Sequence, residues 1–430
     1  MRIPIQSVTP ATGTAEVVGW VHEVRDLGGL AFFLIRDRTG ILQVTIVKKS
    51  ANEAVLAAAR AVSRESVVRV AGRVKAIDKA PGGRELIPDT FEIINTSESP
   101  LPLDVVEKVP AELDTRLDAR FLDARRPRVT AVFQIRSAIM QAIHSFLFES
   151  GFIHITTPKI VAAATEGGTE LFPIAYFDKE AFLNQSPQLY KQMMMAAGFE
   201  KVFEIGPIFR AEEHNTTKHL NEATSIDIEV SFANHHDVMR ILEDLIVHTY
   251  SHVKTRCTDQ LANLEFADFE VPKAPFIRLP YAEAIAIAQK KTDEPVRYGD
   301  DISPAAERAI GAEMGGHYFI VDWPTEIRPY YAMPYEDDPS ICKAFDLMHQ
   351  RMELASGAER VFRHDLLVQQ IRKKGLNPES FEFYLRPFRY GMPPHAGWGL
   401  GAERLVMTML NLSNVREAVL FPRDMHRLVP

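Results

Sequence analysis

Two cysteines, Cys257 and Cys342, are all that the 430 residues contain, and neither stands in a C-x-x-C pair or a Cys/His cluster. That excludes a disulfide framework and a zinc site of ordinary ligand spacing, and it suits a reducing compartment. Long apolar runs are missing too. Those around Ile139–Phe148 and Leu405–Leu410 fall well short of the roughly 20 residues that cross a bilayer, and the opening MRIPIQSV has no signal-peptide core. A cytoplasmic protein with no membrane partner is the expectation. Positive charge is not in excess either: 49 Lys and Arg stand against 57 Asp and Glu, a formal net charge of −8. Phosphate contacts rely on basic residues. Net charge, however, describes the long-range field, and a basic stripe on one face suffices for an RNA partner. Internal repeats and low-complexity tracts are absent.

What is present is a 46% hydrophobic chain, long enough for two or three domains with a sizeable core. From about Ala15 to Ile94 it reads as five short alternating strands, AEVVGWVHEV, AFFLIRD, LQVTIV, VVRVAGRVKAI and LIPDTFEII, with tight turns at DLGG and DRTG. One helix, ANEAVLAAARAV, interrupts after the third strand, which predicts an OB-fold barrel over residues 1–100. Such barrels bind single-stranded nucleic acid through a basic groove and exposed aromatics, and Trp20, His22, Phe32, Phe33 and the lysines near Lys48 are candidates. The two Phe serve equally well as core and rim of a small barrel. A Pro-containing, charged segment over residues 101–128 reads as a hinge. From Val129 to the end, long amphipathic helices (VTAVFQIRSAIMQAIHSFLFES, HHDVMRILEDLIVHTYSHVKTR) mix with strands, so the fold class is α+β.

Three later segments carry candidate chemistry. FLFESGFIHITTPKIV is a helix end at Gly151 and a strand stopped by Pro158, ordinary punctuation if taken alone. VFEIGPIFRAEEHNTTKHLNEATSIDIEVSF is a strand delivering Arg210 and, two residues on, Glu212; a guanidinium fork suits phosphate oxygens, and a carboxylate accepts from an exocyclic amine. A solvated Arg–Glu pair on a hairpin explains the same spacing. RYGMPPHAGWGLGAERLVMTML reads as a Gly-rich turn, with Gly397, Gly399 and Gly401 permitting close backbone approach and Arg404 on the first turn of the following helix. It is no dinucleotide fingerprint, because no βαβ unit surrounds it.

Together, and in this order, the three segments resemble motifs 1, 2 and 3 of the class II aminoacyl-tRNA synthetases. From the barrel to the closing LFPRD the chain is similar to the archaeal-type aspartyl-tRNA synthetases, with GTELF, QSPQLYK, FRAEEHNTTKHLNEA and YGMPPHAGWGLGAERL as the longest matching stretches. The HIGH and KMSKS signatures of the other synthetase class do not occur.

The resemblance implies a six-stranded antiparallel sheet flanked by helices that activates L-aspartate with ATP and Mg2+ and charges tRNA(Asp). It implies catalytic roles for Arg210 on the α-phosphate and Arg404 on the γ-phosphate. Glu212 would read adenine, Lys218, His219 and Leu220 would close over the nucleotide, and Gly401, Ala402 and Glu403 would complete the ATP site. AFDLMHQRMELASGAER resembles the metal segment, putting Glu353 and Ser356 on magnesium with Asp346 as a helper; an acid three residues before a Ser is also what a solvated helix face looks like. Lys191 and Arg360 match the pair that recognises the aspartate side chain, alongside Ser356. Glu166 and Gln188 would receive its ammonium, and the loop Gly167–Glu170 would close on it. Asparagine-specific relatives read SGQL and then an acid where this chain has SPQLYK.

In the barrel, Phe32 and Gln43 match anticodon-reading positions. His22 and Pro81 stand where members strict for aspartate tRNA tend to carry Trp and Lys, which implies a relaxed enzyme that also charges tRNA(Asn), feeding an amidotransferase; such positions also drift neutrally. Ala223 replaces a Phe that stacks on adenine in many members, with His219 as its substitute. A homodimer joined through motif 1 is implied. An asparagine-handling paralogue and a non-catalytic RNA-binding relative remain the rival readings. Cys257, His235–His236 and the region Pro295–Pro329 give no functional signal.

Overall fold

The computed structural model describes residues 2–162, 170–213, 216–266, 268–350 and 352–430. The chain divides into two compact units, Met1–Arg126 and Pro127–Pro430.

In the first unit, strands β1 (Thr14–Asp26), β2 (Leu30–Asp37), β3 (Gly40–Val47), β4 (Val67–Ala76) and β5 (Arg84–Asn95) close into a barrel in the order β1-β2-β3-β5-β4. Helix α1 (Glu53–Ala61) follows the third strand and is capped by the Asn52 side chain, which accepts the Val55 N–H. Period-two alternation puts Val17, Val21, Phe33, Ile35, Val44, Val68 and Val70 inside. Phe33 packs edge-on against Phe91, so of the two adjacent phenylalanines it is the core residue and does not belong to an exposed groove. Residues 101–126 count with this unit and carry two short helices, Leu113–Asp118 and Arg120–Asp123, around Leu103, Val105, Ala119 and Leu122.

The second unit opens with α2 (Pro127–Glu149) and β6 (Ile153–His154). A small three-stranded sheet follows, β7 (Ile160–Val161), β8 (Pro173–Tyr176) and β9 (Lys179–Leu183), then α3 (Gln188–Ala196). The main sheet is completed by β10 (Lys201–Phe209), β11 (Glu222–Ser231), β12 (Ile277–Pro280), β13 (His317–Pro324), β14 (Ile341–His349), β15 (Met352–Glu359) and β16 (His395–Gly401), with α4 (His235–Arg256) after β11. Its order is β12-β13-β14-β15-β16-β11-β10-β6. The six strands from β13 to β10 are antiparallel, as expected, and short parallel strands are added at both edges.

One face of this sheet is closed by α2 and α4. Ile135, Ile139, Ile143 and Leu147 recur every four residues along α2 and meet Val238, Leu242, Leu245 and Ile246 of α4. Alternation supplies the sheet side: Ile226, Ile228 and Val230 of β11 and Ala396, Trp398 and Leu400 of β16 point into this core. The residues between them therefore turn to the other face, and there the polar groups collect.

Candidate active site

Antiparallel register lines residues of different strands into a row on that face. Glu204 of β10 stands opposite Asp227 of β11, Asp227 opposite Gly399 of β16, Gly399 opposite Ser356 of β15, and Ser356 opposite Asp346 of β14. The next row holds Glu229, Gly397 and Ala358. GWGLG is thus a strand in the middle of the sheet and not a turn. Its glycines make room for acids: a Cβ at Gly397 would sit 2.3 Å from both Glu229 Oε2 and the Ile228 carbonyl, and one at Gly399 would sit 3.1 Å from Asp227 Oδ1.

Asp227 and Glu229 are 3% and 0% exposed, so bare carboxylates there would be prohibitively costly. Lys191 and Arg360 neutralise them. Lys191, on α3 and 1% exposed, donates to Asp227 Oδ1 at 2.9 Å and to the Trp398 carbonyl at 3.1 Å, and lies 3.5 Å from Glu229. Arg360 donates from Nε to Glu229 at 3.0 Å and from Nη2 to Gln188 Oε1 at 3.3 Å, with its guanidinium 5.3 Å from the Tyr331 ring centre. Burial opposes ionisation of Glu229, but Arg360 and Lys191 outweigh it and hold its carboxyl below the usual range. His395 completes the layer: its Nδ1 lies 2.8 Å from the Pro393 carbonyl, which makes that nitrogen the donor, and Nε2 then accepts from Gln192 at 3.0 Å. Asp227, Glu229, Gln192 and His395 escaped the sequence reading. Acids alternating along a strand look like a solvated face, and the signal that distinguishes them is the matching alternation of glycines on the neighbouring strand.

Above this layer opens a cavity of about 480 Å³. Gln188, Arg210, Glu212, Lys218, His219, Leu220, Glu353, Ser356, Arg360, Gly401, Glu403 and Arg404 all line it, so segments remote in sequence meet around one space. Lys191 does not line it, being committed to the acids beneath, and Ala402 is fully buried at the start of the helix Ala402–Met409. The Glu403 carboxylate is occupied as well, accepting from Arg136 of α2 at 2.7 Å and from the Thr224 N–H at 2.9 Å, which ties α2 to motifs 2 and 3. Glu166 and the residues 167–169 of its loop lie outside the described residues.

Arg210 continues the β10–β11 hairpin, its N–H bonded to the Asn221 carbonyl at 2.9 Å. Lys218 reaches Glu307 of the helix Pro304–Met314 at 2.8 Å. Burial, reinforced by the charges of Arg404, Lys218 and Arg210, depresses His219 to about 4, so it is neutral at pH 7. Arg404 donates to the Glu353 carbonyl at 3.1 Å, with the Glu353 carboxylate 3.6 Å away.

The region Pro295–Pro329 is not silent after all. Arg328 and Asp301 line the cavity, and Arg328 stacks over Trp323 with its guanidinium in close contact with buried Asp346. Burial pushes the Asp346 carboxyl up, against the pull of Arg328. Asp346 therefore faces an arginine as well as Ser356, and of the segment Ala344–Arg360 the Glu353 carboxylate and the Ser356 hydroxyl are the hard-oxygen side chains at the cavity wall. Among the described residues no cluster of three His, Cys, Asp or Glu is arranged to hold a metal.

In the barrel, Phe32 and Gln43 are half-buried, and Gln43 donates to Thr45 and to Glu85 Oε2, both at 3.2 Å. His22 is not an exposed groove residue. It is the extra residue of a bulge between Val21 and Glu23, buried with its Nδ1 accepting from Arg36 at 2.7 Å. Arg36 in turn clamps buried Glu65, at 3.1 and 2.8 Å. Pro81 is exposed in the turn between β4 and β5, at the far end of β4 from His22.

Comparison with known proteins agrees with this geometry. Residues 112–425 match the family described as tRNA synthetases class II (D, K and N), and residues 15–94 match the OB-fold nucleic acid binding domain. The chain is 74% identical over 430 residues to the aspartate–tRNA(Asp/Asn) ligase of Methanoculleus marisnigri, and 61% identical over 432 residues to that of Archaeoglobus fulgidus, with 100% of both chains covered in each case. Asparaginyl-tRNA synthetase from Pyrococcus horikoshii, complexed with asparaginyl-adenylate, superposes with a TM-score of 0.93 at 33% identity, covering 100% of both chains. The aspartyl tRNA synthetase from Entamoeba histolytica gives 0.88 at 31% identity, over 100% of this chain and 93% of that one. With a buried carboxylate–cation floor, the cations Arg210, Lys218 and Arg404 lining the cavity above it and a family match over residues 112–425, the chain belongs to the class II tRNA synthetases of the D, K and N group.

Proposed function

We propose that this enzyme activates L-aspartate with ATP to aspartyl-adenylate and pyrophosphate, then transfers the aspartyl group to the 3′ end of tRNA(Asp) and of tRNA(Asn). The observation that carries the proposal is Arg360 at the cavity wall, backed by Lys191 and balanced by Glu229 and Asp227. A substrate carboxylate adds an acceptor for a guanidinium that is already oriented. A neutral side-chain amide would offer that guanidinium a weaker, uncharged acceptor beside Glu229.

The attacking α-carboxylate is ionised at pH 7, so adenylate formation needs no base. It needs orientation and charge around the α-phosphate. Arg210 takes that phosphate, Arg404 the γ-phosphate, and Glu212 the adenine amine, with Lys218, neutral His219 and Leu220 over the nucleotide and the backbone of Gly401–Glu403 beside it. Gln188 and Glu166 receive the substrate ammonium. Glu353 and Ser356 suit magnesium, which takes few protein oxygens and completes its shell with water and substrate phosphates. When bound there, the ion would neutralise phosphate charge. For transfer, no side chain need act as base toward the ribose hydroxyl, since a phosphate oxygen of the adenylate can take its proton.

Anticodon reading falls to Phe32 and Gln43, and the relaxed choice between the two tRNAs to His22 and Pro81. Burial of His22 supports this reading, since a side chain tied to Arg36 projects no bulk toward RNA. The aspartyl-tRNA(Asn) formed would pass to a tRNA-dependent amidotransferase in the cytoplasm. A homodimer joined near the end of α2 and the β6 edge is supported by Phe148 and Ile153, which are 54% and 46% exposed. Among the described residues no helix is long and apolar enough to cross a membrane.

The test is aspartylation of purified tRNA(Asp) and tRNA(Asn) transcripts side by side, with labelled asparagine in parallel. Charging of both by aspartate alone is expected. Charging of tRNA(Asp) only would remove the relaxed reading, and charging by asparagine or of neither tRNA would remove the function.

A further inference from the structure

The last segment of the chain, residues 414–430, is laced to the loop Thr216–Asn221 that carries Lys218, His219 and Leu220. Val415 N–H donates to the Thr217 carbonyl at 2.9 Å, Arg416 Nη1 to the Thr216 carbonyl at 3.2 Å, and Asn221 N–H to the Arg423 carbonyl at 2.9 Å. Arg416 is 7% exposed and is itself aimed from two sides. Its Nε donates to Asp424 Oδ2 at 2.6 Å, and its own N–H is held by Asn414 Oδ1 at 3.1 Å. The other Asp424 oxygen accepts the N–H groups of His426 and Arg427, both at 2.9 Å, so the carboxylate that orients Arg416 is fixed in turn. Val415 reaches the cavity wall. Surface packing would not need this concentration of long-range bonds on the backbone of one short polar loop.

We propose that the segment Val415–Asp424 is a strap that orders the nucleotide loop before ATP arrives, and that Arg416 is its positioning residue. A loop left free must be immobilised at the moment of binding, and that cost is subtracted from affinity. Held by Arg416 and the two backbone bonds, the loop presents Lys218 and His219 to the cavity already in place. The proposal rests on the reading that this cavity takes ATP.

The experiment is aspartate-dependent ATP–pyrophosphate exchange by the full chain and by R416Q, R416K and D424N, with thermal unfolding run on each. Loss of one charge-assisted bond predicts an ATP KM raised about tenfold in R416Q, with the aspartate KM changed by less than about twofold. R416K, which keeps a cation without the fork, recovers part of the loss. D424N, which leaves Arg416 but removes the carboxylate that aims it, shifts the ATP KM the same way by about threefold. Faster amide exchange at residues 216–221 of the ATP-free variants accompanies the change. ATP and aspartate constants that rise together, or an ATP KM that stays put in D424N, would overturn the strap, and D424N decides the matter if R416Q does not fold. Absence of exchange by the unaltered enzyme would instead bring down the ATP reading.

Discussion

At the scale of single residues, the site depends on what glycine leaves empty. Because a Cβ at Gly397 meets a carboxylate and a backbone carbonyl at 2.3 Å, while one at Gly399 meets a single carboxylate oxygen at 3.1 Å, the two glycines are unequal. Gly397→Ala is expected to destabilise the fold by about 2–3 kcal/mol and Gly399→Ala by about 1 kcal/mol or less, as overpacking against rigid and yielding neighbours does. Denaturant unfolding of both variants checks the order, and equal effects would count against it. Lys191→Met removes the cation from two buried acids, and breaking a buried pair of this kind costs about 3–5 kcal/mol. Unfolding midpoints and aspartate KM should both suffer in that variant, whereas Arg360→Gln should raise the aspartate KM by at least about a hundredfold, the loss of a charged partner to the substrate. Residues that line the cavity were legible because matched motifs name them: Arg210, Glu212, Glu353 and Arg404 all reach it. Those that hold the lining residues in place were not. Asp227 and Glu229 carry no local sign of burial, Arg328 sits in a segment without periodicity, and the separation of Lys191 from the cavity depends on a tertiary contact with Trp398.

At the scale of elements, the strands of the barrel and the two long helices follow from alternation and four-residue spacing. The Gly-rich stretch did not read as a strand, since glycine weakens strands in general and is tolerated here because close approach is required. Nor could the bulge at His22 be read, because one extra residue leaves the alternation on either side intact. That bulge joins β1 to the Arg36–Glu65 pair and to Arg125, whose Nη1 lies 2.8 Å from Glu65. Burial opposes ionisation of Glu65, but His22, Arg36 and Arg125 draw its carboxyl down to about 2 from an ordinary 4.5. A depressed carboxylate stabilises the folded state above its unfolded pKa, and the contribution fades as pH falls through the folded value. The difference in unfolding temperature between the unaltered protein and Glu65→Gln should therefore hold at neutral pH and shrink between about pH 4.5 and 2. A difference independent of pH over that range would show that the pair acts through packing alone.

Across the whole molecule, the barrel and the catalytic unit each own a hydrophobic core. A ligand that fills the cavity acts on the second unit's stability. A non-hydrolysable aspartyl-adenylate analogue at about a hundred times its Kd stabilises the unit that binds it by about 2.7 kcal/mol. Amide exchange should slow in β11, β15 and β16 and stay unchanged in β1 to β5; uniform slowing would place the analogue elsewhere. The sheet order has a further consequence for how this enzyme comes into being. β16 is the last strand to be synthesised, yet it lies between β15 and β11 in the middle of the sheet. Until it arrives, the sheet consists of two separate halves, β6-β10-β11 and β12 to β15, and Asp227 and Glu229 are flanked by β10 on one side and by no strand on the other. Such late, non-local closure is slow to fold. The nascent chain therefore has no active site at any intermediate length, and competence is conferred in one step, when the final strand enters the gap like a keystone.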